Sequence, residues 1–174
     1  MIDHDVATGP IERCQVCHGT NLEQVVDLGH QPLCDSLRSE EELNQPEQNF
    51  PLRLHRCLDC SLAQIDHAVD GSTVYFKEYP YRSGVTLELV EYQKESSAAT
   101  VSDFAINKES LVVDVGSNDG TLLNGFKAQG MRVLGVEPTN IAKIANEAGI
   151  ETIQSFFTEE VARDIVKDYG NASV

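Results

Sequence analysis

The second half of the chain alternates short apolar runs with amphipathic stretches. The apolar runs are LVVDVG, MRVLGVEP and IETIQSFF, which begin at Leu111, Met131 and Ile150, and a segment with helical periodicity follows each of them. Apolar runs of this length predict buried strands, and short links between strand and helix predict a parallel sheet with right-handed crossovers. The final residues, NASV, predict the beginning of a fourth strand.

The first half of the chain has a different pattern. In EQVVDLGHQPLCDSL, Gly29 and Pro32 interrupt the apolar runs, whereas NFPLRLHRCLDC alternates Leu52 and Leu54 before Cys57 and predicts a strand. The intervening RSEEELNQPEQN is polar and predicts a surface loop with a helical turn. We therefore expect residues 1–78 to form a small β-rich domain that requires a metal for stability.

An aromatic segment and a helix connect the two halves. The aromatic residues are Tyr75, Phe76, Tyr79 and Tyr81, and a helical pattern runs from residue 85 to residue 104. Pro80 favours an extended Tyr79, which places the aromatic residues on a loop before the helix. These rings either seal a contact between domains or line a ligand cleft, and the pattern supports both interpretations. The predicted linker spans residues 79–106, and the α/β domain spans 107–174.

Two C-x-x-C pairs lie in the predicted first domain, Cys14 with Cys17 and Cys57 with Cys60. Two such pairs can present four thiolates tetrahedrally to zinc, in a closed shell that is structural rather than catalytic. The first pair continues into His18, which matches the haem-attachment pattern of c-type cytochromes. No histidine follows the second pair, so structural zinc is favoured, and redox or disulfide chemistry is the other alternative. A fifth cysteine, Cys34, is expected to be a small buried residue.

Charge and composition narrow the possible functions. The net charge of -15 opposes binding to nucleic-acid phosphates. No apolar run is long enough to predict a membrane span. The first residues, MIDHDVATGPIER, lack the features of a signal peptide, so the expected compartment is the cytoplasm.

The turn after the first predicted strand has the sequence VVDVGSNDG and the pattern D-x-G-x-x-x-G. Asn118 occupies the place of the middle glycine that lets backbone approach a pyrophosphate, which argues against NAD. Glu137 ends the next predicted strand, where an acid can accept hydrogen bonds from ribose hydroxyls. Negative charge from Asp114, Asp119 and Glu137 suits a sulfonium, so the pattern favours S-adenosylmethionine. Alternatively, the glycines serve loop geometry alone.

These segments together resemble the sugar C-methyltransferases of deoxysugar biosynthesis. The matching pieces are RCQVCHG, DLGHQPL, FPLRLHRCLDCSLAQ, YPYRSG, VVDVGSNDGTLLNGF and VLGVEPTNIAKIA. The resemblance implies a small zinc-binding domain, a Rossmann-like α/β domain that binds S-adenosylmethionine, and a further C-terminal domain that helps to bind a nucleotide sugar. It implies methylation at a carbon of a keto-sugar.

The resemblance also implies roles for individual residues. Zinc would be bound by Cys14, Cys17, Cys57 and Cys60, and the cofactor contacts would include Gly116, Asn118, Asp119, Gly120 and Glu137. The YPYRSG segment resembles the family's loop over the cleft, which adds Tyr81 and Ser83 as candidates. The family's catalytic histidine region has no match before Val174, so the catalytic base is not assigned. We therefore expect an incomplete and inactive N-terminal portion of such an enzyme. The alternatives are a non-enzymatic zinc-binding interaction module and an NAD-linked oxidoreductase fragment.

Overall fold

A computed structural model describes residues 8–75 and 78–174 of the chain. The chain divides into two compact units, residues 1–74 and 75–174. Phe76, one of the predicted aromatic residues, lies outside the described residues. No helix in the described ranges is both long and apolar enough to cross a membrane.

The first unit contains a three-stranded antiparallel sheet and a separate pair of short strands. The sheet has the strand order β2-β3-β4, and β1 pairs with β5. A 3-10 turn at Glu40–Glu42 lies in the polar loop between β2 and β3. The elements are β1 (Gly9–Pro10), β2 (Leu22–Pro32), β3 (Asn49–Cys57), β4 (Ala63–Ile65), β5 (His67–Ala68) and α1 (Gly71–Val74).

Strand β2 is longer than its sequence pattern predicts. It continues through Gly29, because two irregularities in its register with β3 accommodate the local disruption. Gly29 has a φ of 72°, a left-handed conformation that glycine adopts without steric cost. Pro32 is the last residue of the strand, where its missing N–H matters least. The apolar pattern alone does not reveal that bulges would keep this strand continuous.

Few side chains are buried in the first unit. The buried side chains among its described residues are Cys14, Cys57 and Gln64. Apolar side chains such as Val25 and Leu28 are more than half exposed on the sheet. Hydrophobic burial within this unit is therefore small, and another source of stability is needed.

The second unit is a mixed α/β structure around a three-stranded parallel sheet. The strand order is β6-β7-β8, with Leu111 opposite Arg132 and Val136 opposite Ile153. A 3-10 turn at Ser83–Val85 precedes the first long helix. The elements are α2 (Leu87–Asp103), β6 (Leu111–Val115), α3 (Thr121–Ala128), β7 (Arg132–Val136), α4 (Ile141–Glu147), β8 (Thr152–Ile153) and α5 (Glu159–Tyr169).

Two apolar clusters pack against this sheet. Val112 packs with Leu123 and Ile150 in one cluster, and its neighbour Leu111 packs with Leu134 and Ile165 in the other. Successive residues of a strand point to opposite faces, so the two clusters cover opposite faces of β6. Both faces of the sheet are therefore buried, as the continuous apolar run in β6 predicts.

Two strand predictions differ from the structure in extent. Strand β8 comprises two residues, and the following Phe156 and Phe157 are exposed. The last residues of the chain lie beside β6, where Ser173 N–H donates to Leu111 O at 2.8 Å and Val113 N–H donates to Val174 O at 2.9 Å. These are the contacts expected of an incipient fourth strand on the side of β6 opposite β7.

Candidate functional site

Two turns of nearly identical geometry position the cysteine pairs. In the first, Cys14 N–H donates to Gly19 O at 2.8 Å and His18 N–H donates to Cys14 O at 3.0 Å. In the second, Cys57 N–H donates to Leu62 O and Ser61 N–H donates to Cys57 O, both at 2.8 Å. His18 and Ser61 occupy equivalent left-handed positions, with φ of 61° and 67°. His18 thus completes a turn and does not belong to the thiol cluster.

The four thiols converge on one point. All four Sγ atoms lie within 4.8 Å of one another. The distances are 3.5 Å between the Sγ atoms of Cys14 and Cys60 and 3.5 Å between those of Cys17 and Cys57. Tetrahedral zinc with bonds of 2.3 Å would separate its sulfurs by about 3.8 Å. The donor set and its spacing therefore fit a zinc ion.

Hydrogen bonds from the turn and contacts among the thiols give Cys14 and Cys17 very different pKa values. The Cys17 N–H is the main cause that lowers the pKa of Cys14, to about 6. The Gly19 N–H acts in the lowering direction on Cys17, but the surrounding thiols outweigh it and raise the pKa of Cys17 to about 12. A metal that binds all four sulfurs as thiolates must therefore displace protons.

Cys34, in contrast, lies apart from this cluster and is exposed. The expectation that it is buried is wrong, because it falls in the poorly packed segment after β2. Substitution of Cys34 should therefore leave the thiol cluster intact.

In the second unit, the turn after β6 depends on left-handed residues. Gly116, Asn118 and Gly120 have φ of 79°, 51° and 77°. A Cβ at Gly120 would also lie 2.9 Å from the Cβ of Ile150, so this glycine is required on two counts. Asparagine tolerates the left-handed conformation better than most residues, which accounts for Asn118 at its position.

Glu137 is buried at the end of β7, with an exposed fraction of 5%. Its Oε2 accepts from Asn118 N–H at 3.0 Å, and its Oε1 accepts from Thr139 N–H at 2.9 Å and Thr139 Oγ1 at 2.7 Å. A carboxylate offers about four acceptor positions, and three are occupied. Glu137 therefore joins the turn after β6 to the loop after β7 and retains about one acceptor position.

Asp114 lies near Glu137. Burial raises the pKa of Asp114, and the neighbouring Glu137 carboxylate raises it further. Two carboxyl groups so placed favour a cationic ligand, because a cation would relieve their mutual repulsion.

Asp119 and Asn118 bind the segment that precedes α2. Asp119 Oδ2 accepts from Gly84 N–H at 2.9 Å, and Asn118 Oδ1 accepts from Ser83 N–H at 2.8 Å. Asn118 Nδ2 donates to Tyr81 O at 3.1 Å. The predicted residues Tyr81 and Ser83 are therefore brought to the predicted turn, through their main chains.

Several residues of this arrangement were not singled out in the sequence. Thr139 and Thr121 cap the carboxylates of Glu137 and Asp119 from two positions further along the chain. Threonine two residues after an acid is a local signal of such a turn. Asn140, whose Oδ1 accepts from Tyr79 N–H at 2.9 Å, gave no comparable signal, because its partner is remote in sequence.

Comparison with known proteins gives one family match and one curated relative. A sequence family described as "Putative zinc binding domain" matches residues 14–75. C-methyltransferase NovU from Streptomyces niveus is 34% identical over 164 residues, which cover 94% of this chain. The chain is therefore a homologue of a C-methyltransferase. The resemblance recognised in the sequence is confirmed, and zinc binding is supported by both the family match and the thiol cluster. The match covers 39% of the length of this relative.

Proposed function

We propose that the chain is part of an S-adenosylmethionine-dependent C-methyltransferase that acts on a nucleotide-linked keto-deoxysugar. The observation that carries the proposal is the identity to a C-methyltransferase over nearly the whole chain. The relative's name gives the reaction class, and the sugar substrate follows from the resemblance stated above. On this proposal the protein works in the cytoplasm. It has a zinc-binding domain over residues 1–78, a linker over 79–106 and the N-terminal part of a Rossmann-like domain over 107–174.

The proposed zinc ligands are Cys14, Cys17, Cys57 and Cys60. Four thiolates close the coordination shell, so this zinc would have no open position for water or substrate. Its role would be structural, in a unit whose described residues bury little apolar surface.

The proposed cofactor site lies at the carboxyl ends of β6 and β7, where ligands bind in parallel α/β sheets. Its residues are Asp114, Gly116, Asn118, Asp119, Gly120 and Glu137, with Tyr81 and Ser83 from the preceding segment. The remaining acceptor position of Glu137 would take a hydrogen bond from one ribose hydroxyl. Asp114 would favour the positively charged part of the cofactor.

When bound, the cofactor supplies an electrophilic methyl group. The carboxylates and neutral polar groups of the turn suit a cationic nucleoside without phosphates and disfavour a diphosphate. Removal of a proton next to the sugar carbonyl requires a base, and no residue of this chain is assigned that role.

Calorimetric titration with S-adenosylhomocysteine and, separately, with NAD tests the proposal. We expect binding of S-adenosylhomocysteine alone, weakened by about 1–3 kcal/mol in Glu137→Ala, because polar partners would be left unsatisfied. Glu147→Ala is the matched control, since Glu147 is exposed on α4 and pairs with Lys143 at 3.8 Å. Binding of NAD in preference would favour an oxidoreductase fragment, and binding of neither would favour an interaction module.

A further inference from the structure

A short segment before α2 is fastened to the turn after β6 by side chains of that turn. We call residues 79–85 the strap. Asn118 and Asp119 accept from the Ser83 and Gly84 N–H groups, and Asn118 Nδ2 donates to Tyr81 O. Every one of these bonds uses main-chain atoms of the strap. The strap's position therefore depends on the two turn side chains more than on the strap's own side chains.

Asn118 links the strap to the buried acid. Its N–H donates to Glu137 Oε2 at 3.0 Å, while its side chain contacts the strap at Ser83 and Tyr81. A ligand hydrogen-bonded to Glu137 would restrain the N–H of Asn118 and, through it, the side chain that binds the strap. The connection passes through one residue and requires no long path.

Asp119 and Gly84 show how closely the strap approaches the turn. Asp119 is buried, with an exposed fraction of 8%, and Arg82 Nε lies 3.9 Å from its Oδ2. A Cβ at Gly84 would lie 2.8 Å from Asp119 Oδ2 and 3.0 Å from Thr121 Oγ1. A side chain at this position would push the strap away from the turn, so the approach requires glycine.

We propose that Asn118 and Asp119 are positioning residues of the proposed cofactor site, whose side chains hold the strap against the turn after β6. Tyr81 and Ser83 then reach the site because these two side chains hold their main chain. Cofactor binding and strap docking reinforce each other through Asn118. The coupling to a cofactor rests on the proposed function, whereas the docking of the strap does not.

Substitution of Asn118 by glycine separates two functions of this residue, its contacts with the strap and its left-handed backbone conformation. Glycine adopts the left-handed conformation freely, so Asn118→Gly preserves the turn and removes both strap contacts. We expect the Ser83 amide to exchange with solvent about tenfold faster in ligand-free Asn118→Gly. Asn118→Asp retains an acceptor for this N–H and should restore most of the protection. The control is Glu109→Gly, another left-handed position with a φ of 66°, outside the site.

Titration of the 174-residue chain and of its variants Asn118→Gly and Gly84→Ala with S-adenosylhomocysteine tests the coupling. We expect the ligand to slow exchange at Ser83 and Gly84 in the unmodified chain, and Asn118→Gly and Gly84→Ala to weaken its binding about tenfold. Unchanged Ser83 exchange in Asn118→Gly would overturn the docking role. Normal ligand affinity in both variants would overturn the coupling. Absence of ligand binding in the unmodified chain, with the exchange effect intact, would overturn the proposed function and the coupling but leave the docking role standing.

Discussion

At the scale of single residues, Asp114 occupies an unfavourable position for its charge. Burial and the Glu137 carboxylate both raise its pKa above the ordinary value of 3.8. The folded chain therefore binds this proton more tightly than the unfolded chain does. Over the pH window between the two pKa values, this group's contribution to stability declines as the pH rises.

Replacement of Asp114 by asparagine should remove that decline. We expect Asp114→Asn to have a higher free energy of unfolding than the unmodified chain near neutral pH, and the two to converge below pH 4. Urea unfolding across this range, followed for the second unit, measures the difference. Asp164→Asn on the exposed side of α5 is the control for the removal of an exposed carboxylate. An Asp114→Asn profile parallel to that of the unmodified chain would show that Asp114 is well solvated.

Residue patterns in the sequence predicted part of the geometry of the turn after β6 for identifiable reasons. Gly116 and Gly120 were predictable, because a strand-to-helix turn needs left-handed positions. The place of Glu137 at a strand end was also predictable, and its contact with ribose stays a prediction. The hydrogen bonds that Glu137 accepts from Thr139 and Asn118 could not be predicted from the sequence. A carboxylate can accept from many donors, and the folded loops decide which donors lie within reach.

At the scale of elements, the contact between α2 and α3 depends on a single small residue. Gly125 lies in the middle of α3, where glycine is otherwise unfavourable by about 0.5–1 kcal/mol relative to alanine. A Cβ at this position would overlap with Ser97 Oγ and lie 3.0 Å from Ser97 Cβ. Ser97 is fully buried in α2 and its Oγ donates to Lys94 O at 2.9 Å, so a shift of this side chain would break this hydrogen bond.

Gly125→Ala should therefore destabilise the second unit by about 1–3 kcal/mol, despite the better helix propensity of alanine. The second substitution Ser97→Gly removes the overlapping atoms and should recover part of that loss. Thermal unfolding of the single and double variants measures the coupling between the two positions. Stabilisation by Gly125→Ala alone would mean that the two helices separate at this point without cost.

Element predictions succeeded where one periodicity dominated. Strands β6 and β7 and the helices after them follow the apolar pattern, because both faces of this sheet are buried. Strand β8 is shorter than predicted, since Phe156 and Phe157 lack a partner strand and remain exposed among the described residues. In the first unit, polar and apolar side chains are both exposed, so the sequence does not alternate regularly between the two. Bulges also shift the register of β2 against β3.

At the scale of the whole molecule, the two units have different sources of stability. The second unit contains two apolar clusters on opposite faces of its sheet. The described part of the first unit buries chiefly Cys14, Cys57 and Gln64, and Gln64 itself holds the first cysteine turn by accepting from Gln15 N–H and donating to Arg13 O. Thiols thus occupy the place of a hydrophobic core in the first unit.

Removal of zinc should therefore unfold the first unit and spare the second. Structural zinc contributes about 10–16 kcal/mol at pH 7 in small domains, more than the limited apolar burial here can replace. We expect one zinc per chain by elemental analysis, and rapid amide exchange in β2 and β3 after chelation, with β6 and β7 still protected. Cys57→Ser should reproduce this state without chelator.

Cys34→Ser is the matched control, because Cys34 is exposed and lies outside the cluster, and it should retain both zinc and protection. Full zinc content in Cys57→Ser would refute the ligand assignment, and loss of protection in β6 and β7 on chelation would show that the two units do not fold independently.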